Sequence, residues 1–382
     1  MLVYNKNKTI NFVLISILFL NLLTFSAFSE ENVSTQHEEG IKSITSVRLK
    51  ISENSSEILF NKNKANSENK NDTFYLEKER EYKLNLSINS LLPGYAQHTI
   101  NKPEEGNLYL YTSLPLLVIG QGLLIYYFYD KGGIIISPHK RENGLNYLTR
   151  FGNEDINDKN FFLYSGLLLS LYGTLISTYS SYAYHRDFID MNLKSDLKKG
   201  RESLGDLILS PIKPENIFNF DFFPMYPLSV VSSITPNDIN KMGDFWKKEK
   251  VPFMGVNVSP WQGLIFEFLT ACLIVSANAT WEEIYFRGLE LEKNGLNYSS
   301  LSFGLAHAGN ALYPDASVEE TALQTSFATL FGFYAGQKTI ENKYDFRKMI
   351  ALHFWHNVTS ATLNYMANPD KGLFFINFSY KF

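Results

Sequence analysis

The chain contains one cysteine, Cys272, so no intrachain disulfide can form, and its position inside an apolar run argues against a redox role. The zinc motif H-E-x-x-H is also missing. The one His-Glu pair, His37-Glu38, is followed by Ile41 where the second histidine would stand. The net charge is only −4 and no basic cluster occurs, so nothing in the sequence favours a nucleic-acid partner.

Long apolar runs are what the chain does contain. Leu108–Tyr129 and Phe161–Tyr184 are both long enough to span a bilayer whose hydrocarbon core is about 30 Å thick. A third run, Trp261–Ala279, has only Glu267 and Cys272 as ionisable side chains. The high aromatic content, 15%, is typical of membrane proteins with interfacial aromatic belts. We therefore predict an all-α polytopic membrane protein.

The N-terminus has the composition of a signal peptide over residues 1–29. Lys6 and Lys8 precede the apolar core Ile10–Phe25, and the small residues Ala27 and Ser29 flank a cleavage site. An uncleaved first membrane helix is the alternative. After it we divide the chain into a polar exported or disordered segment (30–87), a membrane helical hairpin region (88–205), a Pro-rich linker or interfacial segment (206–260), an intramembrane bundle (261–370) and a C-terminal tail (371–382).

Two adjacent carboxylates and a guanidinium follow the third apolar run, where charges are costly unless something needs them. On a helix, Glu283 and Arg287 are four residues apart in the order that favours an ion pair. Glu282 lies about 100° round the helix from Glu283, so we expect the two carboxylates to have different partners.

Two more polar motifs lie downstream on apolar segments. One is Phe303 to His307, and the other is His353 to Asn357. The second belongs to a polar stripe on an otherwise apolar helix, at His353, His356, Asn357, Ser360 and Asn364, which favours a hydrated interior site. We expect four helices in this part of the chain, at Trp261–Glu292, Ser299–Tyr313, Thr321–Gln337 and Met349–Ala367, with a break at Asn294-Gly295.

The ordered set E-E-x-x-x-R, F-x-x-x-H and H-x-x-x-N resembles the CPBP family of intramembrane endopeptidases, which includes the type II CAAX prenyl proteases and bacteriocin-processing proteins. The resemblance covers Trp261 to Ala367. It implies a hydrolase without a cofactor, with Glu282 as general base and His307 as partner of the same water. It further implies oxyanion donors at His353 and Asn357, with supporting roles for Glu283, Arg287 and Phe303.

Other readings remain open. Glu282, His307 and His353 would also make a His2Glu set suitable for zinc. A membrane scaffold or bacteriocin-immunity-type protein would use the same motifs for binding, and a transporter would use them as an ion site. As partners we expect the lipid bilayer and a membrane-associated protein or peptide substrate. We expect a multi-pass protein of the bacterial cytoplasmic (inner) membrane, in which Glu30–Leu86 is dispensable for activity.

Overall fold

The computed structural model describes residues 72–140, 146–152, 161–192, 201–219, 221–232, 236–312 and 316–369. The predicted signal peptide, most of the predicted polar segment and the C-terminal tail lie outside these residues. Within them the chain is mostly helical. Two short antiparallel hairpins are the departure from the expected all-α fold.

Two long helices form the predicted membrane hairpin. Helix α3 (Pro103–Asp130) and helix α4 (Phe161–Asn192) pack along each other, and each extends beyond the predicted apolar run. A Cβ atom at Gly120 would lie 2.5 Å from the backbone nitrogen of Ser170, so glycine is what allows this close approach. Between them, where we expected only a loop, strands β1 (Ile134–Lys140) and β2 (Asn146–Phe151) pair antiparallel.

The N-terminal part of the described chain forms a helix that the polar composition had not predicted. Helix α1 covers Asp72–Leu91, and a short helix α2 covers Tyr95–Thr99. Tyr82 and Leu86 on α1 are buried in one apolar cluster with residues of α4. The expectation of a polar, disordered segment up to residue 87 is therefore wrong from residue 72 onward, because these side chains belong to the core of the bundle.

Proline confines the middle of the chain to short elements, as predicted. These elements are nevertheless not a free linker, because they pack against the last helix. The Trp355 indole N–H donates to the Pro211 carbonyl at 2.8 Å, and Phe245 and Val251 share a buried cluster with Tyr365. The elements are α5 (Leu204–Ile208), a 3-10 turn (Ser210–Ile212), α6 (Pro214–Ile217), α7 (Phe222–Ser232), α8 (Pro236–Phe245), β3 (Val251–Phe253) and β4 (Val256–Val258).

The C-terminal bundle begins at a capping box, in which Ser259 and Gln262 exchange hydrogen bonds at the first turn of α9. The expected break near Gly295 is a kink (φ 80°, ψ 177°) through which the helix continues. A π-helical stretch inside the first long helix was not expected. The elements are α9 (Pro260–Glu283), the π-helix (Ile284–Glu290), α10 (Leu291–Ala308), a 3-10 turn (Gly309–Leu312), α11 (Val318–Glu341) and α12 (Arg347–Ala367).

Small residues set the packing in this bundle. On α11, Gly332 lies so close to α10 that an added Cβ would be 3.0 Å from the Ser300 carbonyl oxygen. On α10, Gly304 faces α11 equally closely, because an added Cβ would be 1.8 Å from the Thr329 hydroxyl oxygen. This confirms the packing role expected from the small residues of α11. Helix α9 packs on α12 through Ala271, Val275, Ala279, Phe354, Val358 and Ala361.

Three of the described helical stretches are long and apolar enough to cross a membrane. They are Pro103–Asp130, Phe161–Asn192 and Pro260–Leu312. Many large apolar side chains of these stretches remain exposed on the outside of the protein, among them Leu108, Tyr111, Val118, Trp261, Phe266, Leu269 and Leu273. Such an exposed apolar surface is expected where lipid, rather than water, surrounds the helices.

Candidate active site

The first motif lies where α9 gives way to the π-helix. Glu283 is the last residue of α9, and Arg287 is in the middle of the π-helix. Their side chains are fully buried and form the predicted ion pair, with Arg287 Nε 3.3 Å from Glu283 Oε2. A π-helical turn inside an α-helix is rare and is found frequently at functional sites. Here it lies immediately after the two adjacent carboxylates.

His353, on α12, contacts both carboxylates. Its Nδ1 is 3.0 Å from Glu283 Oε1, and its Nε2 is 3.7 Å from Glu282 Oε2. An ionised carboxylate can only accept a hydrogen bond, so Nδ1 carries the proton that His353 donates to Glu283. The expectation that the two carboxylates have separate partners therefore fails at His353. Because Nδ1 is occupied by Glu283, only Nε2 can face a reacting group.

The Glu282 carboxylate is held on one side only. Its Oε1 accepts a hydrogen bond from Asn278 Nδ2 at 3.0 Å. Among the described residues its Oε2, though buried, has no hydrogen-bond partner. The side chain is 12% exposed, whereas that of Glu283 is fully buried. Glu282 is thus the carboxylate of the pair with an oxygen left to bind a water or a substrate.

The second motif places a histidine and a phenylalanine against this cluster. His307 Nδ1 is 2.8 Å from the Phe303 carbonyl oxygen, which can only accept, so this nitrogen carries the proton. The Nε2 atom of neutral His307 therefore has a free lone pair, and His307 interacts electrostatically with Glu282 and His353. The Phe303 ring is buried between three site residues: the Arg287 guanidinium lies 4.7 Å from its centroid, His307 4.7 Å and His353 6.1 Å.

Asn357 lies one turn after His353 on α12 and is buried. Its Nδ2 has no hydrogen-bond partner within the described residues, and no hydrogen bond there joins it to the two glutamates. His356, which is outside the motif, is buried on the same helix. A buried amide donor without a partner is unfavourable unless water or a ligand meets it. The structure therefore brings Glu282, Glu283, His307 and His353 together and leaves Asn357 as an available donor beside His353.

Two residues of this site, Asn278 and Ser299, were not predicted from the sequence. Asn278, which binds Glu282, lies in the apolar run four residues before it, a spacing at which helical side chains meet. The spacing was therefore a usable signal. Ser299 links α10 to the π-helix by donating to the Phe286 carbonyl at 2.6 Å, and it lies 3.5 Å from Arg287 Nη1. No local sequence pattern predicts the contact of Ser299 with Phe286 and Arg287.

The described residues contain no group of three or more His, Cys, Asp or Glu side chains arranged to hold a metal ion. The chemistry of the donors is nevertheless suitable. In both His307 and His353, Nδ1 is tied to an acceptor and Nε2 is left as the possible ligand atom. Metal-binding histidines usually have this second hydrogen bond.

Five polar atoms of the site are buried without a hydrogen bond from any described residue: Glu282 Oε2, Glu283 Oε2, Arg287 Nε, Arg287 Nη2 and Asn357 Nδ2. Native proteins leave few such atoms, and four of these five belong to the group formed by Glu282, Glu283 and Arg287. Comparison with protein-family models, with curated proteins and with solved structures finds no match for this chain. The geometry of these residues and the three motifs are therefore the observations that bear on function.

Proposed function

We propose that the protein is an intramembrane endopeptidase that hydrolyses peptide bonds through a water activated by Glu282. The observation that carries this proposal is the free Oε2 of Glu282, buried 3.7 Å from His353 Nε2 at the end of a helix able to cross a membrane. A general base needs an accessible lone pair within reach of the water it deprotonates. The three motifs that resemble the CPBP family support the same assignment.

In this reaction Glu282 Oε2 accepts a proton from the water while the water oxygen forms a bond to the carbonyl carbon of the substrate. The carbonyl π electrons move onto its oxygen and form an oxyanion. The carbon–nitrogen bond then breaks, and the departing amine nitrogen takes up the proton held by Glu282. His307 supports the water through its Nε2 lone pair, since its Nδ1–H is engaged by the Phe303 carbonyl.

The oxyanion needs donors where its charge develops. Asn357 Nδ2 supplies one, because it is buried and lacks a partner among the described residues. His353 supplies another through Nε2 only when its ring is protonated. Two carboxylates, Glu282 and Glu283, face a single guanidinium, so a protonated His353 makes the cluster electrically neutral. Glu283 and Arg287 position His353 in this scheme and do not touch the reacting atoms.

The site lies among helices with exposed apolar surfaces, which supports a membrane protein. The proposal further assigns it to the bacterial cytoplasmic membrane as a multi-pass protein. The substrate is then a protein or peptide associated with the membrane. No cofactor takes part in the scheme. A scaffold or immunity-type protein is the non-catalytic alternative, and it has no use for a base with a free oxygen.

The test is turnover of a peptide library by the full chain in lipid vesicles, for the wild type and for Glu282→Gln. We expect cleavage by the wild type and its loss in the variant, with the variant still folded. Full cleavage by Glu282→Gln would reject the base, and no cleavage by the wild type would favour the scaffold. Proteomics of membranes containing each form, read for accumulated precursors, would then identify substrates.

A zinc-dependent hydrolase is the second candidate, favoured by the two imidazoles whose Nε2 atoms are left free by bonds at Nδ1. Glu282, His307 and His353 would hold the ion, which would supply a bound water of lowered pKa. A chelator separates the two mechanisms. Unchanged turnover after chelation supports the glutamate mechanism, and inactivation reversed by zinc supports the metal.

A further inference from the structure

A buried amide next to Glu282 is itself fixed by an indole. Trp281 Nε1 lies 3.2 Å from Asn278 Oδ1, and Asn278 Nδ2 lies 3.0 Å from Glu282 Oε1. An indole N–H can only donate and a carboxylate can only accept, so these two neighbours determine which end of the amide is which. The Asn278 carbonyl must face Trp281, and its NH2 group must face Glu282.

This bond makes the two oxygens of Glu282 different. Rotation of the carboxylate is restrained because Oε1 is held by Asn278. The other oxygen, Oε2, is then directed to the side of His353 and receives no hydrogen bond from the described residues. Without Asn278 the carboxylate could turn, and either oxygen could face the water.

Asn278 and Trp281 lie where they can position Glu282. Asn278, Trp281 and Glu282 all lie on the last turns of α9, before the π-helix begins at Ile284. A regular helix holds side chains more precisely than a loop does. An amide also adds no charge, so it orients Glu282 without neutralising it as a lysine would, and without the repulsion that an aspartate would bring.

We infer that Asn278, oriented by Trp281, is a positioning residue that holds Glu282 Oε1 and thereby makes Oε2 the proton-accepting atom. This inference rests on the proposed peptidase function. It concerns kcat rather than substrate binding, because Asn278 acts through Glu282 and not on the substrate.

Asn278→Leu removes both the donor and the acceptor at similar size. We expect kcat per folded molecule to fall about 100-fold with KM nearly unchanged, as for a catalytic group displaced by about 1 Å. Asn278→Gln keeps the amide and should recover part of the loss. Trp281→Phe frees the amide to turn and should lower kcat by about tenfold, the value of one modest hydrogen bond.

Asn294→Leu is the matched control. Asn294 Nδ2 donates to Glu290 Oε2 at 2.6 Å, so this variant also removes an amide–carboxylate bond between residues four apart, but outside the site. It should lose stability like Asn278→Leu while keeping kcat per folded molecule. If Asn278→Leu keeps kcat within about threefold of the wild type, the positioning role is rejected.

The Trp281 contact can be measured without turnover, through the indole 15N–1H resonance of Trp281 in labelled protein. It should shift in Asn278→Leu and stay in place in Asn294→Leu. If the resonance shifts in Asn278→Leu but the wild type cleaves nothing, the peptidase is rejected and the Trp281–Asn278 contact stands. If the wild type is active, an unshifted resonance in Asn278→Leu, or an Asn278→Leu variant as active as the wild type, rejects the positioning role and leaves the peptidase standing.

Discussion

Two buried clusters in this protein are built from the same residue types, glutamate, histidine and arginine, but differ in how their atoms are partnered. In the second cluster, Arg186 Nη1 is 2.8 Å from each oxygen of Glu292, and His185 Nε2 is 3.0 Å from Glu292 Oε2. It joins α4 to the first turn of α10. In the candidate active site, Glu283 and Arg287 form an ion pair without a hydrogen bond between those atoms, and Glu282 leaves an oxygen open.

The contrast is between a structural cluster and one for which we propose a catalytic role. Both oxygens of Glu292 accept hydrogen bonds, which is how proteins usually compensate a buried carboxylate. The candidate site instead has carboxylate oxygens and guanidinium nitrogens that form no hydrogen bond with any described residue. Each such group would cost about 1–3 kcal/mol if neither water nor a ligand met it. Under the proposed function, water and substrate would satisfy these atoms.

The two clusters also differ in charge. In the second cluster one carboxylate, Glu292, faces one guanidinium, Arg186. In the candidate site two carboxylates face Arg287, and the second negative charge is balanced by His353 when its ring is protonated, with Nε2 3.7 Å from the free oxygen of Glu282. A base must be ionised to take a proton, and Glu282 Oε2 accepts no hydrogen bond from the described residues. Under the proposed function, the second carboxylate is the group that would serve as the base in hydrolysis.

The largest expected effect is on turnover in Glu282→Gln. We expect kcat per folded molecule to fall about 10³- to 10⁴-fold, the upper part of the range for a general base. Asn278 can still hydrogen-bond to the new amide oxygen, so the unfolding transition should hardly move. Peptide cleavage and denaturant unfolding on the same preparation provide the check. A large loss of stability would show that Glu282 belongs to the structural type of cluster.

Glu292→Gln should behave in the opposite way. It leaves Arg186 buried opposite a neutral side chain, so we expect a loss of about 3–5 kcal/mol in the free energy of unfolding. Turnover per folded molecule should stay near the wild-type value, because the hydrogen bonds of Glu292 go to His185 and Arg186 and, in the described structure, to none of the motif residues. If turnover collapsed in the folded fraction, the two clusters would have to be regarded as one functional unit.

Glu283→Gln should fall between these cases. It removes the ion pair with Arg287 and weakens the bond to His353, so stability should drop by about 2–3 kcal/mol. The drop should be smaller than for Glu292→Gln because Glu282 still acts on Arg287 electrostatically. Some turnover should survive in the folded fraction, measured per folded molecule beside Glu282→Gln. Equal and complete loss in both variants would mean that Glu283 also takes part in the chemistry.

The local parts of the site could be predicted from the sequence. Glu283 and Arg287 pair because their spacing on one helix brings them together, and the apolar runs gave the helices α3, α4, α9, α11 and α12 with only their ends displaced. The stripe on α12 correctly placed His353 in the interior. These features follow from periodicity, which a single segment carries within itself.

The remaining features depend on contacts between distant segments. His353 is 70 residues from Glu283, so nothing local shows that one imidazole reaches both carboxylates. The π-helix is a choice between backbone hydrogen-bond patterns that apolar periodicity does not distinguish. Helix α1 was not predicted because its polar sequence indicated a solvent-exposed or disordered segment. The burial of Tyr82 and Leu86 against α4 is a contact that the local sequence of α1 does not show.

The smallest expected effect is the loss of stability in Tyr82→Phe, a variant of the N-terminal helix α1. The Tyr82 hydroxyl is 2.7 Å from His185 Nδ1, and His185 Nε2 contacts Glu292, so α1 ends a chain of buried hydrogen bonds that reaches α10. The Tyr82 ring also packs on Phe188, with centroids 5.1 Å apart. Tyr82→Phe keeps this packing and removes the hydroxyl.

We therefore expect Tyr82→Phe to lower the free energy of unfolding by about 1 kcal/mol, the net value of one hydrogen bond, with turnover unchanged. Tyr82→Ala should cost about 3–5 kcal/mol, because it also empties a buried aromatic site. Denaturant unfolding of both variants measures the difference. The expectation that Glu30–Leu86 is dispensable for activity requires turnover per folded molecule to be unchanged in both variants. A loss of stability in Tyr82→Ala much larger than in Tyr82→Phe makes α1 part of the bundle through its packing, with the hydrogen bond to His185 as the lesser contribution.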